Sequence, residues 1–164
     1  MKVQNHLFTL ITSISLLTFA FAQDVTLSFG SVDEDAGTME IVMNSAEDVY
    51  GFQFDITGLT ITSASGGSAE SNGFMVSASA SRVIGFSLTG ASIPAGEAVL
   101  LNVSFTEFSG YSCLEGGVIS GEGGVGLEVG YGDCYGELPT FMIDVMYNSI
   151  EDIGGFQFDV DGVT

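Results

Sequence analysis

The chain has 164 residues, 46% of them hydrophobic and only 14% charged, and its charge is one-sided: 21 carboxylates face two cations, for a net −19. So few cations cannot displace counterions from a phosphate backbone, which excludes nucleic acid as a partner, and an anionic lipid surface repels the chain for the same reason. The acids stand singly or in short groups and read as a solvated surface that keeps the protein soluble.

The N-terminus has the composition of a targeting segment. Lys2, the apolar run from Leu7 to Phe21 and the closing Ala20-Phe21-Ala22 have the order of a secretory signal peptide over residues 1–22, with cleavage before Gln23. The run falls short of the roughly 20 residues that span a bilayer, and no later stretch is apolar enough to do so. Removal of 22 residues leaves 142, with Arg82 the sole cation against 21 acids and a net charge of −20. A chain of that size buries enough surface for one core. Cys113 and Cys134, an even pair in an exported chain, are expected to form a disulfide. Closing a loop of this length contributes about 3 kcal/mol in the chain-entropy model.

Period-two alternation then runs through the chain, the mark of strands with one buried and one wet face. "VTLSF" turns Val25, Leu27 and Phe29 to one side. "TMEIVMN" turns Met39, Ile41 and Met43 inward, and "GFQFDIT" does the same with Phe52, Phe54 and Ile56. "LTITS" and "GFMVSAS" follow, then "RVIGFSLTG" with Ile84, Phe86 and Leu88 expected inward, and "VLLNVSFT" with Leu101, Val103 and Phe105. Two more short strands fit around Val118-Ile119 and Leu127-Val129, between the cysteines, as a hairpin that returns one to the other. No window has helical periodicity, so the chain is predicted to be all-β. About nine short, alternating strands indicate a two-sheet sandwich. Gly-Phe pairs at Gly51-Phe52, Gly73-Phe74, Gly85-Phe86 and Gly155-Phe156 open these runs and read as core packing.

"DVYGFQFDITGLT" at 48–60 returns as "DIGGFQFDVDGVT" at 152–164, and the offset of 104 residues also aligns Asn44-Ser45 with Asn148-Ser149. A period this long means modules in tandem, not a solenoid. The expected division is residues 23–136 as one complete module and residues 137–164 as the truncated start of a second. Two strands cannot bury Phe141, Ile143, Val145, Phe156 and Phe158 alone, so Phe52 and Phe54 are expected to be buried and Phe156 and Phe158 more exposed.

The chemistry on offer is narrow. The only histidine, His6, and the only lysine, Lys2, lie in the signal segment, so hydroxyl or thiol nucleophiles activated by histidine, Schiff bases and histidine-bound zinc are excluded. A carboxylate pair of the glycosidase kind remains as a remote enzymatic alternative, and the chain is read as a non-enzyme. Asp33, Glu34 and Asp35, followed by Gly37, are the best candidates for a calcium ion, against an ordinary acidic turn. With Trp absent, Tyr111, Tyr131 and Tyr135 are the candidates for an aromatic platform that binds polysaccharide, against simple packing beside the disulfide.

"DVYGFQFDITG", "RVIGFSLTG" and "IPAGEAVLLNVSFT", in that order, resemble the segments of cohesin-like modules over about residues 24–106. The chain also looks like the tandem cohesin-like repeats, with a C-terminal cysteine hairpin, of exported marine-bacterial proteins. The resemblance implies a nine-stranded jelly-roll sandwich related to carbohydrate-binding modules, with a role in adhesion, scaffold assembly or polysaccharide contact. The expected function is a secreted, cell-surface interaction module with a protein or polysaccharide partner.

Overall fold

The computed structural model describes residues 23–138, 148–155 and 157. Two five-stranded sheets face each other across one core. The first has the order β11-β1-β2-β7-β4, from β1 (Val25–Asp33), β2 (Thr38–Ser45), β4 (Thr60–Ser65), β7 (Gly96–Thr106) and β11 (Val129–Tyr131). The second has the order β10-β9-β3-β6-β5, from β3 (Gly51–Ile56), β5 (Met75–Ala78), β6 (Arg82–Phe86), β9 (Leu114–Ser120) and β10 (Gly126–Leu127). A ribbon of β8 (Tyr111–Ser112) and β12 (Tyr135–Gly136) closes one end. Among the described residues no helix is long and apolar enough to cross a membrane.

The all-β sandwich is as the alternation indicates, and Val25, Leu27, Met39, Ile41, Met43, Phe52, Phe54, Ile56, Leu101, Val103 and Phe105 all lie in the core. Three details differ. A five-residue helix, α1 (Gly67–Ser71), crosses beside β7 and buries Ala69; at little more than one turn it is too short to leave a 3.6-residue pattern. The stretch predicted as one strand at Leu127-Val129 divides at Glu128, so that β10 stays in one sheet and β11 joins the other, parallel to β1. The described strands therefore number twelve, the two-residue pieces included, where about nine were expected.

The third difference is a reversed strand. Val83 and Gly85 of β6 face the core, while Ile84, Phe86 and Leu88, expected inward, are exposed. The cause is Phe52, whose partner across the ladder is Gly85. The Phe52 ring stacks between Phe54 and Phe74, at centroid distances of 6.1 and 6.0 Å. It fills the space where any Cβ on residue 85 would sit, its Cε2 only 2.6 Å from that position. The glycine is therefore the core residue, and the apolar residues on either side of it point outward.

The repeat leaves a structural echo. Ser45 Oγ donates to Glu47 O (2.5 Å) and accepts from Glu47 N–H (3.3 Å), and Ser149 makes the same two bonds with Glu151, at 2.7 and 3.2 Å. Two near-identical sequences thus fold the same turn, in different surroundings: Val49 is fully buried, while its counterpart Ile153 is 47% exposed. Phe141, Ile143, Val145, Phe156 and Phe158 lie outside the described residues.

Candidate functional site

The reversal of β6 builds a distinctive surface among the described residues. On the outer face of β5, β6, β3 and β9, Met75 pairs with Phe86 and Phe86 with Gly51, and in the next row Ile84 pairs with Gln53 and Gln53 with Val118. Partners across a ladder share a face at the roughly 4.8 Å strand spacing, so these four apolar side chains form one patch, with Gly51 leaving the centre flat. Met75, Phe86 and Val118 are 53%, 42% and 63% exposed. Leu88, past the end of β6, is exposed as well.

One end of the patch is charged. The guanidinium of Arg82 donates from Nε and one terminal nitrogen to the two carboxylate oxygens of Asp55, both at 2.6 Å. Glu115 lies across the ladder from Asp55. The hydrogen bonds from Arg82, reinforced by its charge, hold the Asp55 carboxyl below the usual carboxylate range and raise Arg82 in turn. No other Lys or Arg occurs in the described residues, so among them no other carboxylate has a cationic partner. The opposite outer face is polar. Thr26, Asn44 and Glu97 form one row and Glu40 pairs with Asn102, beside an open cleft of about 260 Å³ lined by Ser31, Asp33, Thr38, Met39, Glu40 and Asn102.

The three tyrosines do not share a plane. On the β8/β12 ribbon Tyr135 faces Ser112 while Tyr111 faces Gly136, so their rings leave from opposite sides. The Tyr135 ring packs against Phe29 and Phe108, and its hydroxyl donates to Glu34 Oε1 at 2.8 Å, which raises the phenol above its ordinary pKa. Tyr131 sits apart on β11, its hydroxyl accepting from Gly117 N–H of β9 at 2.5 Å. Asp33 Oδ1 accepts from Ala36 N–H (2.9 Å) within the turn between β1 and β2. Among the described residues no group of three or more His, Cys, Asp or Glu lies close enough to hold a metal ion.

Cys113 and Cys134 are joined as expected, with Cα atoms 4.4 Å apart. The segment between them is more than the simple hairpin predicted: β9 and β10 form a hairpin in one sheet, β11 crosses to the other, and the chain then returns. The outer patch was not among the predicted sites. The sequence signal for it was the lone glycine at the centre of "VIGF", opposite a phenylalanine strand.

No protein-family model matches the chain, and neither does any curated protein. Solved structures similar to it include a non-cellulosomal cohesin from the hyperthermophilic archaeon Archaeoglobus fulgidus, at 17% identity over 66% of this chain and 86% of that one, with a TM-score of 0.46. The CaDoc0917–CaCohA2 complex matches at 18% identity over 66% of this chain and 94% of that one, with a TM-score of 0.48. The Coh-OlpC–Doc435 complex, a type I cohesin–dockerin complex from Clostridium thermocellum, matches at 11% identity over 66% and 88%, with a TM-score of 0.46. The likeness to each is one of fold.

Proposed function

We propose that the chain is a secreted, non-catalytic interaction module of a tandem-repeat surface, adhesion or scaffold protein, and that it docks a protein on the outer face of β5, β6, β3 and β9. One observation carries the reading: the packing of Phe52 over Gly85 turns Ile84 and Phe86 outward, beside Met75 and Val118, while the other outer face is polar. Contiguous apolar surface rimmed by polar groups is the usual mark of a protein contact. The charge balance defines the partner, since a mature chain with 21 carboxylates and one engaged arginine repels its own copies and attracts an apolar stripe flanked by Lys or Arg. A polysaccharide partner finds less support, because Tyr111 and Tyr135 diverge and Tyr135 is engaged by Phe29, Phe108 and Glu34.

Titration calorimetry of the mature chain against a panel of dockerin modules, with a glycan array in parallel, tests the reading. We expect protein binding that falls at least tenfold in Phe86→Asp and is unchanged in Tyr131→Phe. Glycan binding that survives Phe86→Asp would overturn it.

A further inference from the structure

We propose that the Cys113–Cys134 disulfide makes the module a tension-bearing link of limited extension, carrying a pull on the chain past β11 and into the centre of the second sheet. The inference rests on the tandem-array reading for its biological setting but on the module alone for its geometry. β1 and β11 are parallel, with Val25 beside Val129, Thr26 beside Gly130 and Leu27 beside Tyr131. The chain therefore enters at Asp24 and leaves at the opposite end of β1. Gly132 N–H still donates to Leu27 O (2.8 Å), and Tyr135 reaches Glu34, beyond the last residue of β1. Nine strand residues set entry and exit roughly 30 Å apart. A pull on the two ends runs along the strands, so the ladders of β1 are sheared, all bonds at once, and not unzipped one by one.

β11 alone would be a weak anchor for that pull, being three residues long and at a sheet edge. The disulfide removes it from the direct path. Tension arriving at Cys134 passes through sulfur to Cys113, whose carbonyl accepts from Thr57 N–H (3.0 Å) and Thr57 Oγ1 (3.3 Å), at the end of β3. Leu114, next in sequence, begins β9, which pairs with β3 at the centre of its sheet. The two ends of the chain thus pull on opposite sheets, and the core between them resists. The separation of 21 between the cysteines leaves 20 residues, holding β9, β10 and β11, inside a covalent loop that a pull cannot straighten.

Single-molecule force spectroscopy on the mature chain, held at its two termini, tests this. Between the oxidised chain and the Cys113→Ser/Cys134→Ser pair we expect the rupture force to fall at least twofold and the released length to grow by about 70 Å, the span of 20 extended residues. Because the double variant could lose its fold, a second design keeps the bridge: five Gly/Ser residues inserted between Gly123 and Gly124, inside the loop, add nothing to the released length, while the same insert between Thr89 and Gly90 adds about 18 Å. An unchanged rupture force in a folded double variant, or added length from the insert inside the loop, would overturn the proposal. The pull reports on the module only, so a parent protein that carries no further copies would overturn the array while leaving this path of force intact.

Discussion

Replacing Gly85 with alanine probes the packing that creates the outer patch. The glycine has no positive φ, so the backbone accepts alanine, and in open space the change would stabilise by about 0.4–1 kcal/mol through the unfolded chain. Space decides otherwise. The new methyl would meet three atoms of the Phe52 ring at under 3.0 Å. That ring is 3% exposed and held between Phe54 and Phe74, so it has no direction of retreat. Overpacking of this kind costs about 1–3 kcal/mol, which outweighs the backbone gain of about 0.4–1 kcal/mol, and we expect a net loss of about 1–2 kcal/mol. Gly126, also without positive φ and with nothing within 4 Å of an added methyl, is the control and should lose nothing on the same change. Urea melts followed by far-UV circular dichroism measure both, the chain having no Trp. Phe52→Leu in the Gly85→Ala background should recover part of the loss, because the smaller side chain vacates the clash. Equal midpoints for Gly85→Ala and wild type, or strict additivity of the two substitutions, would refute the assignment of Gly85 to the core, and with it the outward direction of Ile84 and Phe86.

Phe86→Asp should change stability by less than about 0.5 kcal/mol while Phe54→Ala, in the same sheet but fully buried, costs about 3–5 kcal/mol in the same melts. Arg82→Ala should lower stability only slightly, and less in high salt, because the pair is exposed. The Asp55 carboxyl is depressed when folded, so its contribution is present above the ordinary carboxylate range and lost as pH falls through the folded value; melts between pH 5 and pH 2 should show this loss in wild type and not in Arg82→Ala. Ser45→Ala should cost about 1 kcal/mol and Ser149→Ala nothing measurable, since the same pair of bonds is buried in one turn and exposed in the other.

Alternation revealed the faces of β1, β2, β3 and β7 because their core positions, such as Val25, Ile41, Phe54 and Val103, are apolar and their partners along the strand mostly polar. It failed at β6 for a physical reason. A glycine is not counted as a core residue, yet Gly85 is one, because the volume it lacks belongs to Phe52 on the next strand. Such sharing of volume between strands is invisible to any count along one of them. The division at Glu128 was hidden likewise. A strand that changes sheets keeps its apolar content, and only the two sets of partners, Ile119 for Leu127 and Val25 for Val129, tell the halves apart. Tyr111 and Tyr135 looked like neighbours because the disulfide brings their segments together, but a two-residue ribbon is enough to send their rings to opposite sides.

The parallel pairing of the first strand with the eleventh has a consequence in time. Val25 meets Val129, 104 positions later, so the edge of β1 stays bare until that much more of the chain has been made. At translation rates of about 5–20 residues per second this interval is roughly 5–20 s. Pairings this distant in sequence are also slow to find, because the entropy of closing the intervening chain is lost before any contact repays it. A module wired in this way cannot complete its fold from the front. Its N-terminal strand keeps one open edge until the last part of the sandwich arrives.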